Sequence, residues 1–193
     1  MKNGKVILAS SSDRRKKLLN RIGIKYTAMP SKLNENNYNF DNPIELVEGL
    51  AFAKASEVAD FVEDALIISA DTIIVFDDKM LGKPKDKEDA FQMLKKLSNN
   101  KHQVYTGLAV ILTDDQKHYV GHDMTEVFMR EIDDKEIESY INTGEPMDKA
   151  GSYGIQGKGG IFVEKIIGSF FTVMGLPIHQ LSTVLKNFNI ELL

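Results

Sequence analysis

Residues 66–75, Leu-Ile-Ile-Ser-Ala-Asp-Thr-Ile-Ile-Val, are apolar enough to form a buried strand, yet Asp71 sets an ionisable carboxylate in their midst. An isolated charged carboxylate in apolar surroundings costs several kcal/mol, so it must be paired, bind a metal or sit at a wet cleft. The plain alternative is a strand end, with Asp71 and Thr72 closing residues 66–70 and opening a turn. The neighbouring segments have to decide.

Hydrophobic period and chain breakers predict an alternation of strands and helices. Residues 6–9 read as a short buried strand. A helix follows, with Ser12 or Asp13 at its N-cap, Leu18, Leu19 and Ile22 inward, and Gly23 closing it. Residues 25–29 suggest a second strand, and residues 30–42 an Asn-rich loop. Pro43 suits the first turn of a long helix capped by Asp41 or Asn42. Residues 66–70 form a strand, 76–79 a turn, and Asp86 caps a helix to about Leu97. Residues 103–113 and 118–132 pair as strands joined through 114–117. Asp133 and Glu136 make a capping box for a helix ended by Gly144. Residues 161–167 and 170–174 read as strands, and 177–188 as a terminal helix. The expected fold class is mixed α/β with α+β character, because the central hairpin interrupts an otherwise parallel pattern. Without repeats or linkers, residues 1–193 are expected to form a single domain.

The net charge of −4 provides no global basic field for nucleic acid or anionic membrane, so phosphate binding has to come from local cationic clusters. No apolar stretch approaches the ~20 residues of a membrane span. The N-terminal apolar run is too short for a signal peptide, and a cytoplasmic protein is expected. The absence of cysteine excludes disulfides, thiolate metal sites and a cysteine nucleophile. His102, His118, His122 and His179 lack zinc-ligand spacing and are read as structural or surface residues.

Three further constellations can carry chemistry. In residues 10–17, three serines precede Asp13 and the cations Arg14, Arg15, Lys16 and Lys17 at a helix start. Cations oppose the helix dipole there unless an anion sits nearby, so the segment is either a phosphate cradle or a solvated basic face. In the helix after Pro43, Lys54 falls on the stripe of Val47, Leu50, Ala51, Val58 and Val62, and either snorkels outward or meets an anion. Five glycines in residues 151–160 allow close backbone approach to a ligand or a flexible hairpin, and Gln156 offers both donor and acceptor to a nucleobase edge. Lys83 in Gly82-Lys83-Pro84 and Glu35 in the polar loop, taken alone, read as a turn lysine and an exposed acid.

In this order, the segments resemble the Maf family of nucleoside triphosphate pyrophosphatases. The pattern is carried by Ala9 to Arg15, Glu35, Ala51 to Ala55, Ala70 to Val75, Gly82 to Pro84, Glu145 to Gly157 and Gly175 to Pro177, and spans essentially the whole chain. Asp13 departs from it, standing where the family has proline; as a helix cap it would keep the geometry, but its charge would weaken phosphate affinity.

The resemblance implies a twisted mixed sheet flanked by helices, with a cleft between two lobes, similar to the inosine triphosphate pyrophosphatase-like fold. It also implies hydrolysis of a nucleoside triphosphate, dTTP and UTP and modified pyrimidine nucleotides in this branch, to monophosphate and pyrophosphate. Asp71 would be the proton acceptor; Ser10, Arg14, Arg15, Lys54, Thr72, Lys83 and Gln156 would bind substrate, with Arg14, Thr72 and Gln156 setting its choice. Glu35 and Asp71 are hard oxygen ligands suited to Mg²⁺ or Mn²⁺. The expected partner is a small-molecule nucleotide, with no nucleic acid and no membrane; monomer and homodimer both stay open. The alternative is a nucleotide-binding regulator of cell division that needs no turnover.

Overall fold

In the computed structural model, which describes residues 5–38, 40–114 and 117–190, the run around Asp71 is one uninterrupted strand, β3 (Ala65–Phe76). Asp71 is therefore in mid-strand rather than at a strand end. The turn comes later, at Asp77 and Asp78, whose positive φ angles of 50° and 56° suit a tight two-residue hairpin. It leads into β4 (Lys79–Leu81), antiparallel to β3.

The other strands are β1 (Lys5–Leu8), β2 (Thr27–Ala28), β5 (Lys101–Leu112), β6 (Lys117–Met129) and β7 (Val163–Ile167). Their order is β2-β1-β3-β5-β6-β7, with β4 paired to β3 off that path. The parallel β1–β2 and β1–β3 pairs and the antiparallel β3–β4 and β6–β7 pairs make the sheet mixed. The edge strand β7 carries exposed Glu164 and Lys165 and is irregularly registered against Phe128 and Met129.

The chain divides into two units, residues 1–71, 106–123 and 175–193, and residues 72–105 and 124–174. In the first, helix α1 (Asp13–Arg21) is capped by Ser12 and buries Leu18 and Leu19. Helix α2 (Pro43–Ala59), capped by the Asn42 side chain on Ile44 N–H, buries Val47, Leu50, Ala51, Lys54, Ala55 and Val58. Its small residues pack with Ala65, Ile67, Ala109 and Ile111. A Cβ on Gly107 of β5 would lie 2.1 Å from the Val47 carbonyl oxygen, so any side chain there would push strand and helix apart. Helix α6 (Ile178–Asn187) completes this unit's helices.

In the second unit, α3 (Lys87–Leu97), capped by Asp86, and α4 (Asp134–Asn142), started by the Asp133/Glu136 capping box, bury their apolar faces with Ile74, Val104, Val127, Tyr153 and Phe162. The expected strand at 170–174 is a helix, α5 (Phe170–Met174). Phe and Val favour strands, but the Ser169 side chain accepts from Phe171 N–H and its carbonyl from Thr172 and Val173 N–H, which starts a helical turn. Residues 158–162 are a 3₁₀ segment, so the strand expected from 161 begins at Val163. The second strand expected at 25–29 contracts to Thr27–Ala28, and the expected junction residues 115 and 116 lie outside the described residues. Among the described residues, no helix is long and apolar enough to cross a membrane.

Candidate active site

The first unit holds the candidate catalytic carboxylate, Asp71. Residues alternate faces along β3, and Asp71 shares the α2-facing side with Ala65 and Ile67. Opposite it, the helical stripe delivers Lys54, whose Nζ lies 2.6 Å from Asp71 Oδ1 and 2.8 Å from Glu35 Oε1. The Lys54 and Asp71 side chains retain only 11% and 14% of their exposure, whereas Glu35 keeps 55%. Lys54 thus meets anions inside rather than snorkelling, and two distant carboxylates converge on one nitrogen.

The basic run at α1 divides by residue. Asp13 does not cap the helix; it is the first helical residue, and its carboxylate pairs with Lys16 at 3.1 Å on the exposed side. Lys17 is exposed. Arg15 turns inward, donating from Nε to the Gly175 carbonyl at 2.8 Å and from Nη1 to Ser10 Oγ at 3.2 Å. Burial lowers the Arg15 pKa, opposed by the charges of Asp71 and Glu35 and reinforced by Arg14. Those charges register Arg14, Arg15, Glu35 and Asp71 as one electrostatic neighbourhood.

Sequence reasoning does not find Glu57, three residues after Lys54 on α2. Its carboxylate accepts from the Ser31 hydroxyl and from Lys32 N–H at 2.9 Å, so α2 ties down both ends of the segment leading to Glu35. Helical spacing from Lys54 is the one sequence signal for it.

The second unit holds Thr72, Lys83 and Gln156. Thr72 is half-buried, the residue after Asp71 on β3, while Lys83 and Gln156 are exposed. The glycine-rich segment is no hairpin: it winds in short turns around Glu145. Glu145 Oε2 accepts from Lys158 N–H at 3.0 Å, and Oε1 accepts from Gly159 N–H at 3.2 Å and from the Tyr140 hydroxyl at 2.9 Å. The Tyr140 oxygen in turn accepts from Gly154 N–H at 3.1 Å. Burial works to raise the Glu145 pKa, but these hydrogen bonds and Lys149 outweigh it and hold the carboxyl below its ordinary value. A Cβ on Gly157 would stand 2.3 Å from the Glu145 carboxylate, and one on Gly159 2.5 Å from the Tyr140 hydroxyl. These two glycines serve internal packing as well as any ligand.

Hard carboxylate oxygens are the donors that Mg²⁺ and Mn²⁺ favour, and Glu35 and Asp71 present them together, so this donor set fits such an ion. No group of three or more His, Asp or Glu able to hold a metal occurs among the described residues. A pair of carboxylates completed by water and substrate phosphates is the usual Mg²⁺ arrangement.

Comparison with known proteins bears on the whole chain. A family model described as Maf-like protein matches residues 5–188. The chain is 48% identical over 191 residues to a dTTP/UTP pyrophosphatase of Alkaliphilus metalliredigens (strain QYMF), covering 98% of this chain and 99% of that one. It is 50% identical to one from Clostridium botulinum (strain Alaska E43 / Type E3), covering 94% and 98%, and 45% identical to one from Bacillus anthracis, covering 97% of each. Among solved structures, the Ham1 protein of Staphylococcus aureus matches with a TM-score of 0.53 at 15% identity over 95% of this chain and 99% of that one. A HAM1 protein from Coxiella burnetii matches at 0.50 and 14%, covering 96% and 100%. At such identities the structural likeness speaks for the mixed α/β fold alone.

Proposed function

The chain belongs to the Maf-like family, and from that premise we propose that it hydrolyses dTTP and UTP to the nucleoside monophosphate and pyrophosphate. The observation that carries this reading is full-length identity near one half to dTTP/UTP pyrophosphatases. The clasp of Lys54 between Asp71 and Glu35 supports it, since a buried lysine–carboxylate pair is costly to desolvate and weak evidence of a purely stabilising role.

A triphosphate carries about four negative charges, so its hydrolysis needs charge neutralisation and positioning more than covalent chemistry. Arg14, Arg15 and Ser10 at the start of α1, with Lys54 and Lys83, are the groups to receive the phosphates. Asp71 takes the proton from a water whose oxygen bonds to the α-phosphorus; the bridge from the α-phosphorus to the β-phosphate oxygen breaks and pyrophosphate leaves. Glu35 and Asp71 would hold Mg²⁺ or Mn²⁺, which when bound supplies further charge neutralisation and a more acidic water. Thr72 and Gln156, together with Arg14, choose the base and sugar, the Gln156 amide pairing with the O2, N3–H and O4 edge of thymine or uracil. The enzyme would act as a single domain in the cytoplasm, on the nucleotide pool there.

The test is purified protein with dTTP and Mg²⁺ in ¹⁸O-labelled water. Equal amounts of monophosphate and pyrophosphate, with the label in the monophosphate, are expected. Binding of dTTP without either product would favour the regulatory, non-catalytic reading instead.

A further inference from the structure

We propose that Glu145 is the positioning residue for base selection, holding the turn that presents Gln156. This rests on the reading above, in which Gln156 contacts the base.

Residues 154–157 form a tight turn closed by Gly157 N–H on the Gly154 carbonyl at 3.1 Å, with Ile155 and Gln156 at its centre. Its entrance is fixed at Gly154, whose N–H reaches Glu145 through the Tyr140 hydroxyl. Its exit is fixed directly, by Lys158 and Gly159 N–H on the two Glu145 oxygens. Gly157 lies so close to the same carboxylate that only the missing Cβ permits the approach. The turn is therefore tied at both ends to a single side chain, while Gln156 at its apex stays exposed. Glu145 is itself anchored: its carbonyl accepts from Lys149 Nζ at 2.6 Å and its N–H donates to Thr143 Oγ1 at 3.2 Å.

The charge state matters to this grip. An ionised carboxylate is acceptor-only, so it can face two N–H groups and a hydroxyl at once. An amide of the same shape keeps one oxygen as an acceptor but turns the other into an NH2 donor, which then faces the N–H of Lys158 or of Gly159. The turn must then shift, and a hydrogen-bonding side chain displaced by about 1 Å no longer matches its base. Glu145 would touch no part of the nucleotide, so the phosphate-binding groups of the first unit should feel nothing.

The experiment compares Glu145→Gln and the milder Tyr140→Phe with the parent enzyme. In each, kcat/KM is measured for UTP and GTP, with pyrophosphate inhibition and amide hydrogen exchange at Gly154, Lys158 and Gly159. The UTP-over-GTP preference should fall about tenfold or more in Glu145→Gln, and less in Tyr140→Phe. The loss should appear in KM for UTP, with pyrophosphate inhibition unchanged and faster exchange at the three amides. An unchanged preference in both variants, with exchange accelerated, would overturn the link from Glu145 to base choice. Unchanged exchange would overturn the clamp itself. A parent enzyme that turns over UTP and GTP equally would sink the pyrimidine reading of the site, and the exchange data would still judge the clamp.

Discussion

Lys54 changes the meaning of two acids. Seen along the sequence, an inward lysine is a desolvation burden whose removal should leave stability equal or better. With Asp71 at 2.6 Å and Glu35 at 2.8 Å, the sign reverses, because deleting the ammonium strands a carboxylate that is mostly shielded from water. Lys54→Met is therefore expected to lower unfolding free energy by about 1–3 kcal/mol, the cost of leaving such a group unpaired. Denaturant titration of both proteins checks this, and equal midpoints and slopes would refute it. Asp71→Asn is expected to keep the fold and to lower kcat for dTTP by about 10²–10⁴-fold, the usual weight of a general base. Turnover at the parental rate would remove Asp71 from the chemistry. Ser69, two residues earlier on the same face of β3, is wholly buried, and its hydroxyl has no hydrogen-bond partner among the described residues.

Elements whose signals are local are the ones legible in the sequence. Asn42, Asp86 and the Asp133/Glu136 pair cap the helices they precede, because a cap is decided within three or four residues. The segment that bears Glu35 is held instead by Glu57, some 25 residues further on, and no local pattern announces that bond. Glu57→Ala is expected to speed tryptic cleavage after Lys32 by about tenfold or more, since two hydrogen bonds to a carboxylate restrain that backbone. Peptide mapping over time would show it, and an unaltered rate at Lys32 would mean that α2 does not hold the segment. Helix α5 escapes sequence reasoning for a related reason. Thr125 Oγ1 accepts from Ser169 N–H at 2.8 Å and donates to the Ser169 carbonyl at 3.1 Å, and this contact across 44 residues fixes where the chain turns. Gly168, at φ 127°, adopts a backbone angle disfavoured by side chains, and a Cβ there would meet Thr125 Oγ1 at 2.5 Å. The glycine-rich segment is legible as special but not as a wrap around Glu145, because glycine spacing does not say what comes close.

At the scale of the molecule, acid should act on stability through a buried histidine. His102 is 2% exposed, shares a 2.8 Å hydrogen bond with the Tyr153 hydroxyl, and is pushed down to about 4 by burial. Its folded value lies below the ordinary 6.5, so the unfolded chain binds the proton more readily between those limits. The stabilisation is thus complete above about pH 6.5 and fades as pH falls toward 4. Glu145, lowered from 4.5, adds its own loss only below that value. Unfolding free energy should accordingly drop by about 2 kcal/mol from pH 6.5 to 4.5, and this slope should vanish in His102→Gln. Chemical denaturation across the window decides, and equal slopes would exonerate His102. The outer strand β7 has a different kind of consequence. For a second copy to extend the sheet there, its own β7 would have to lie antiparallel about a two-fold axis. Full overlap of Val163–Ile167 with itself brings Lys165 face to face with Lys165 of the other copy. That repulsion, at an edge already kinked near Glu164, works against pairing of two copies through this strand, so the exposed edge is a poor template for another sheet.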